Sequence, residues 1–159
     1  MFLSEKNQYI CYMELENIKG ERFSHAYTRL RYHVVLTFKY RRCVASAEVV
    51  KNLDRIFREI GEHSHFDVLY TGFDGDHVHI FVKSCPSFSV LQIVRRLKQV
   101  STRRLWCMMG DYLSGFYYGK RRGNLWTGGY YCSTVGEITE ESAIRYIVNQ
   151  GGSPAKLKI

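Results

Sequence analysis

The chain has 159 residues, and its 23 Lys and Arg against 15 Asp and Glu give a formal net charge of +8. This length suits one domain with a sizeable core, and a basic chain with 14% aromatic residues favours a nucleic acid as partner, because cations meet phosphates and rings stack on bases. Five spread cysteines without a Cys-x-x-Cys pair argue against a disulfide framework and a thiolate zinc site. The N-terminus turns polar too soon for a signal peptide, and no apolar run is long enough to span a membrane, so we expect a soluble cytoplasmic protein.

The first predicted element is a strand that follows an N-terminal extension. Residues 1–26 show no clear periodicity, and we treat them as an extension of uncertain structure. Residues 27–38 alternate and then become continuously apolar, as expected of a central strand. Residues 39–42, Lys-Tyr-Arg-Arg, follow with three cations around one ring. Such a segment at a strand end either contacts phosphate or forms a solvated basic loop.

The next element is an amphipathic helix. Ser46 is a predicted N-cap, and apolar residues recur at three- and four-residue spacing until Gly61, which indicates a helix packed on a sheet. His63-Ser64-His65 comes just after this helix, where the helix dipole favours a cationic histidine. We therefore expect no metal site at this His-x-His pair.

A hairpin follows and carries a second His-x-His pair. Residues 66–73 predict a strand, and the short Asp-Gly-Asp connection after them makes the strand that begins at His77 its antiparallel partner, with both strands central in the sheet. At the strand period of two, His77 and His79 project from one face, and the apolar run at residues 80–82 indicates burial on both faces. Buried imidazoles need partners, and neutral imidazole nitrogens bind divalent metals well. The pair is thus a candidate metal site.

The second predicted helix begins at Pro86-Ser87 and is strongly basic. No acidic residue occurs from Ser87 to Gly110. A charge run is often only a solvated helix face, but cations without acidic neighbours favour nucleic-acid contact. Residues 110–128 add aromatic rings and further cations, which either clamp an unpaired strand or fold over the core. The candidate DNA-binding cations of the chain are Lys39, Arg41, Arg42, Arg95, Arg96, Lys98, Arg103, Arg104, Lys120, Arg121 and Arg122.

The last two predicted elements are a strand over residues 129–135 and a helix over residues 140–150. Thr139 is the expected cap of this helix, and the glycines at 151 and 152 end it. Tyr146 and Gln150 lie one turn apart on the same stripe. The pair is either a phenol and a carboxamide aimed at one site or a core ring with its hydroxyl at the surface.

The element order βαββαβα predicts an α+β fold with an antiparallel sheet and helices packed on one or both faces. This is a ferredoxin-like or RNA-recognition-like architecture. We place the domain at residues 27–152 and a C-terminal tail at 153–159.

Four segments carry a resemblance to a known family. They are Tyr32-His33-Val34-Val35 continuing to Lys39-Tyr40-Arg41-Arg42, Asp76-His77-Val78-His79, Leu125-Trp126-x-x-Gly129-Tyr130, and Tyr146-Ile147-x-x-Gln150. In these segments and their order the chain closely resembles the single-tyrosine transposases of the HUH (histidine, hydrophobic, histidine) superfamily, which move insertion sequences as single-stranded DNA. The resemblance covers roughly residues 27–151.

The resemblance implies a complete active site. His77 and His79 would bind Mg²⁺ or Mn²⁺, with Gln150 as third ligand and Tyr146 as the nucleophile. Attack by the tyrosine would form a 5′-phosphotyrosine link to DNA and release a 3′-OH. The resemblance also implies single-stranded DNA with hairpin ends as substrate. It implies a homodimer as well, since in the family the tyrosine helix of one subunit usually completes the histidine pair of the other, which would make Tyr146 act in trans.

Three other functions remain to be weighed. A non-catalytic single-stranded nucleic-acid-binding module would share the fold and charge, but it has no use for the histidine pair together with Tyr146 and Gln150. A relaxase or replication initiator of the same superfamily is usually larger, often has paired tyrosines and commonly uses a third histidine. A zinc hydrolase would need a third His, a Cys or a carboxylate at suitable spacing, which the sequence lacks.

Overall fold

The computed structural model describes residues 21–23, 25–117, 123–136 and 139–149. Side chains are described from residue 25 onward, with that of residue 140 excepted. The elements in chain order are β1 (Glu21–Phe23), β2 (Ala26–Thr28), β3 (Leu30–Thr37), a 3-10 turn (Lys39–Arg41), α1 (Ala47–Glu62), β4 (Phe66–Phe73), β5 (His77–Ser84), α2 (Val90–Ser114), β6 (Tyr131–Thr134) and α3 (Glu140–Asn149).

Four strands form one antiparallel sheet in the order β4-β5-β3-β6. With α1 between β3 and β4 and α2 between β5 and β6, this is the split β-α-β arrangement of ferredoxin-like folds. The predicted α+β class and the β4–β5 hairpin are confirmed. The prediction that both hairpin strands are central is wrong for β4, which lies at the edge, because β3 and not β4 occupies the second central position.

Strand alternation separates the sheet into two unlike faces. Val34 and Leu36 on β3 and Ile80 on β5 face a large core that α1 and α2 cover. Phe81 on β5 faces the other way and packs in a smaller cluster against α3. His33 has the opposite parity to Val34, so it lies on the α3 side. The chain therefore places its chemistry-bearing side chains away from the main core.

The helix ends follow local capping. Ser46 Oγ accepts a hydrogen bond from the Val49 N–H, so the predicted cap of α1 is confirmed. The predicted start of α2 at Pro86-Ser87 is wrong, because Ser89 and Gln92 form a reciprocal capping box and the helix begins at Val90. This helix also runs to Ser114, so it includes the first five residues of the aromatic-rich segment at 110–128.

The predicted strand over residues 27–38 is two strands. β2 pairs with β1 in a separate two-stranded hairpin, and β3 alone enters the sheet. Alternation in β2 was misleading because Ala26 and Tyr27, at neighbouring positions of the strand, are both exposed. The expected fourth strand is shorter at both ends than residues 129–135, as β6 covers only Tyr131–Thr134. Within the described ranges, no helix is long and apolar enough to cross a membrane.

Candidate active site

The histidine pair is the centre of the candidate site. His77 is half-buried and His79 is buried, and their rings meet edge to face at 71°. The Nε2 atoms of the two rings lie 3.2 Å apart. The predicted common face of His77 and His79 is thus found, and the two nitrogens point to one place.

The ring of His77 is held from behind by a carboxylate. Its Nδ1 lies 2.6 Å from Asp76 Oδ1, and the Arg41 guanidinium contacts the other carboxylate oxygen at 2.9 Å. The hydrogen bond with His77 is the main reason that the pKa of Asp76 lies below its usual value, and Arg41 adds to the shift. In a neutral His77 ring, an ionised Asp76 keeps the single proton on Nδ1, which leaves Nε2 with a lone pair.

Arg41 reaches Asp76 from a strained turn. Tyr40 and Arg41 have φ values of 61° and 50°, in the left-handed region that side chains with a Cβ rarely adopt. Backbone bonds hold the turn, because the Phe38 N–H donates to Asp76 O and the Lys39 N–H donates to Leu125 O. The predicted phosphate-contacting segment at residues 39–42 therefore lies beside the histidine pair, with Arg41 and Arg42 exposed.

A third histidine, which we did not single out from the sequence, completes the arrangement. His33 Nε2 lies 3.0 Å from His79 Nδ1, and the planes of the two rings are nearly parallel, at 9°, with centroids 5.2 Å apart. Burial lowers the pKa of His33 and of His79 to about 4, so both rings are neutral at pH 7. His33 stood in one of the family-like segments, but only the pairing of β3 with β5 reveals its contact with His79.

The two outward nitrogens fit a metal ion. Donors that each lie about 2.1 Å from one ion, at right angles, are about 3.0 Å apart. The Nε2 separation of 3.2 Å in His77 and His79 is close to this value, and each Nδ1 already has a partner. Among the described residues no group of three or more His, Cys, Asp or Glu is arranged to hold a metal. The expected third ligand, Gln150, lies outside the described residues.

The C-terminal helix brings Tyr146 to this face of the sheet. Ala143 and Ile147 of α3 are buried against Phe81, with Tyr146 packed beside them. The Tyr146 ring lies edge-on to the His33 ring, with centroids 4.8 Å apart and planes at 75°. The His33 ring therefore contacts both Tyr146 and His79 and lies between them.

A glycine in β4 allows α3 to approach so closely. A Cβ added to Gly72 would lie 2.4, 2.8 and 2.9 Å from three side-chain atoms of Ile147. Gly72 pairs with His79 in the β4–β5 register, so this contact sits directly beside the histidines. Only glycine leaves room for the helix at this point.

We expect Gly72→Ala to lower the free energy of unfolding by about 1–3 kcal/mol, because its methyl group overpacks the contact with Ile147. Urea unfolding of Gly72→Ala, Ile147→Ala and the double variant measures the effect. The double variant should lose less than the sum of the single losses, since the shorter side chain makes room. Additive losses would mean that the two residues do not meet.

The basic residues predicted for DNA contact have different surroundings. Arg104 forms an ion pair with Glu59, and Arg96 donates to the His63 carbonyl oxygen. The Lys98 ammonium donates to the carbonyl oxygens of residues 127, 128 and 129. Arg95 and Arg103 are exposed, whereas residues 120–122 lie outside the described ranges. The cations of α2 are thus not one uniform solvated stripe.

Arg95, Lys98 and Arg103 line a cleft of about 490 Å³, and two largely buried tryptophans, Trp106 and Trp126, also contribute to its lining. One wall of the cleft is the segment that Lys98 holds. In that segment the Thr127 N–H donates to the carbonyl oxygen of Thr37, the residue opposite His77 in the β3–β5 register. The wall of the cleft is therefore hydrogen-bonded to the residue of β3 that pairs with His77.

Comparisons with known proteins agree with this geometry. Residues 26–150 match the family model described as "Transposase IS200 like". The ISDra2 transposase TnpA of Deinococcus radiodurans is 31% identical over 138 residues, which cover 87% of this chain and 94% of that protein. The transposase for insertion sequence element IS200 of Salmonella typhimurium is 33% identical over 122 residues, or 76% of this chain and 78% of that protein.

Two solved structures are similar in fold. A crystal structure of a candidate transposase from Deinococcus radiodurans has a TM-score of 0.66 and 28% identity, and the match covers 82% of this chain and 97% of that chain. The REP-associated tyrosine transposase bound to a REP hairpin has a TM-score of 0.51 and 11% identity, with 82% and 74% of the two chains covered. At that identity the second structure is similar in fold alone.

Proposed function

The chain belongs to the IS200-like transposase family, and from this membership we propose that it cleaves and rejoins single-stranded DNA at insertion-sequence ends through a 5′-phosphotyrosine intermediate. The observation that supports this chemistry best is the common sheet face of Tyr146 and the histidine pair, with His33 between Tyr146 and His79. A binding module of the same fold needs neither group.

In the proposed reaction the Tyr146 oxygen attacks a DNA phosphorus atom. The new bond joins that oxygen to the phosphate, the bond to the 3′ oxygen breaks, and the departing oxygen takes up a proton as a 3′-OH. The phosphotyrosine bond replaces the phosphodiester bond one for one, so a second 3′-OH can reverse the step and join a new strand without a nucleotide cofactor. A phenol becomes a good nucleophile only when it gives up its proton, so Tyr146 must lose its proton to a base as it attacks.

The metal proposed for this site is Mg²⁺ or Mn²⁺. His77 and His79 would hold it through Nε2, with Gln150 as the third protein ligand. When bound, it supplies Lewis-acid polarisation and charge neutralisation at the scissile phosphate. Asp76 contacts Nδ1 of His77 and His33 contacts Nδ1 of His79, which keeps the two rings in place. The contacts of Asp76 with His77 and Arg41 keep its carboxylate ionised.

The proposed substrate is single-stranded DNA with a hairpin near the cleavage site. Arg95 and Arg103 offer exposed positive charge in the cleft beside α2, and Trp106 lines the same cleft. The REP-associated relative, which shares the fold, was solved with a DNA hairpin. We also propose a homodimer. The contacts between α3 and the sheet are the same whether α3 packs on its own subunit or on the other one, so Tyr146 lies over a histidine pair in either arrangement.

DNA affinity should fall steeply with added salt, because phosphate contacts release counterions. Arg95→Gln and Arg103→Gln should each reduce the slope of log affinity against log salt by about 0.7, the value for one phosphate of a single strand. Fluorescence anisotropy at several salt concentrations measures the slopes. Arg104→Gln is the matched control, since Arg104 is paired with Glu59 and should change the slope less. If the unaltered protein and all variants have the same slope, DNA does not bind in the cleft.

Labelled oligonucleotides from the flanks of the protein's own gene test the proposed function. With Mg²⁺ or Mn²⁺ we expect cleavage of the single strand, no cleavage of the duplex, and joining to a second strand that carries a free 3′-OH. Binding without cleavage on both flanks and with both metals would favour the non-catalytic module instead.

A further inference from the structure

We propose that His33 is a positioning residue of the histidine pair, which sets the ring nitrogen that carries the proton of His79 and thereby lets His79 Nε2 face a metal ion. The inference rests on the metal site of the proposed function and adds a residue that touches neither metal nor DNA. It follows from three short contacts that link His33, His79, His77 and Asp76 in one line.

With all three rings neutral and no metal bound, the line of contacts has one arrangement of protons. A neutral imidazole carries a single N–H. The Asp76 carboxylate accepts only, so His77 holds its proton on Nδ1 and its Nε2 is an acceptor. The 3.2 Å contact between the Nε2 atoms then needs the proton of His79 on Nε2. His79 Nδ1 is therefore an acceptor as well, and His33 must donate to it from Nε2.

When a metal ion is bound, the hydrogen bond between His79 and His33 would run in the opposite direction. Both Nε2 atoms must then present lone pairs, so the proton of His79 moves to Nδ1 and is donated to His33 Nε2. His33 can accept only if its own proton sits on Nδ1. His33 and His79 therefore change tautomer together, and the number of protons on the three rings stays the same.

The surroundings of His33 allow this change. Its Nδ1 is shielded from solvent and has no hydrogen-bond partner among the described residues. No donor from that part of the chain thus competes for the nitrogen that must receive the proton. The His33 ring is stacked on Phe81 at 4.8 Å between centroids and makes the edge contact to Tyr146, so packing keeps Nε2 aimed at His79.

Nitrogen-15 NMR of the histidine rings tests the tautomers directly in the whole protein. Without metal we expect N–H on Nε2 of His33 and His79 and on Nδ1 of His77. With Mg²⁺, which is diamagnetic, the N–H of His33 and His79 should both move to Nδ1. A His33 ring that keeps one tautomer while Mg²⁺ binds would overturn the inference.

Metal titration by calorimetry supplies the second test. His33→Phe keeps an aromatic ring but loses the acceptor, and it should weaken Mn²⁺ binding about 10- to 100-fold. His33→Gln, whose amide oxygen can accept from His79 Nδ1, should recover most of the affinity. His65→Phe makes the same change at an exposed histidine outside the site and should bind Mn²⁺ as the unaltered protein does.

The outcomes separate this inference from the function on which it rests. Unchanged affinity in His33→Phe, or equal weakening in the Phe and Gln variants, would overturn the role of His33 while leaving the metal site intact. Failure of the unaltered protein to bind Mg²⁺ or Mn²⁺ would overturn the metal site itself. If His33→Phe does not fold, as judged by its unfolding midpoint, the NMR result and His33→Gln decide.

Discussion

Tyr146→Phe should abolish strand cleavage, by about 10⁴-fold or more, while the affinity for single-stranded DNA stays within about twofold. The substitution removes the attacking oxygen and nothing else, because the ring can keep its edge contact with His33 and its contact with Phe81. Cleavage of a labelled oligonucleotide and anisotropy binding with the same strand measure the two effects.

The matched control is Tyr131→Phe. Tyr131 also approaches the His33 ring, at 5.9 Å between centroids, but it lies on β6 and is exposed. Its variant should cleave at close to the normal rate. If Tyr146→Phe still cleaves DNA and Tyr131→Phe does not, the nucleophile is Tyr131 on β6 and not Tyr146.

His77→Ala should lose metal-dependent cleavage, by about 10³-fold or more, because it removes one of only two described nitrogens that face the proposed ion. Mn²⁺ affinity should fall in parallel, whereas DNA binding without metal should be retained. Because His77 is only half-buried, the loss of its ring should change the free energy of unfolding by less than about 1 kcal/mol.

His63→Ala provides the comparison for His77→Ala. His63 belongs to the other His-x-His pair, where its Nδ1 lies 2.8 Å from Glu59 O at the end of α1. That variant should bind Mn²⁺ and cleave normally. Full activity in His77→Ala, still dependent on added metal, would show that the ion binds elsewhere.

Local sequence patterns predicted much of the frame of this site. The period of two placed His77 and His79 on one face, and the Asp-Gly-Asp connection correctly joined β4 and β5. The Ser46 cap was also predicted, as its hydrogen bond spans three residues. Each of these features depends on near neighbours in the chain, which is why the sequence alone revealed them.

The features that escaped prediction depend on pairings between distant segments. His33 contacts a residue 46 positions away, and its role follows from the register of β3 with β5. The need for glycine at position 72 arises only because Ile147 of α3 packs against β4 there. Arg104 was predicted to contact DNA because its ion-pair partner, Glu59, lies on another helix and is not evident from the sequence around Arg104.

One error arose from competition between two local patterns. Pro86-Ser87 and Ser89 both resemble a helix start, and the reciprocal bonds between Ser89 and Gln92 favour the later one. Another arose because alternation does not reveal burial. β2 alternates like a sheet strand, yet Ala26 and Tyr27 are exposed in the separate hairpin with β1.

The most direct test is to trap the covalent intermediate. The protein is incubated with single-stranded DNA from the flanks of its own gene, with Mg²⁺ or Mn²⁺ and in parallel with a chelator, then analysed on a denaturing gel and by peptide mass spectrometry. We expect a metal-dependent protein–DNA adduct whose phosphate is attached to Tyr146. An adduct at another residue, or DNA binding with no adduct under any of these conditions, would contradict the proposed mechanism.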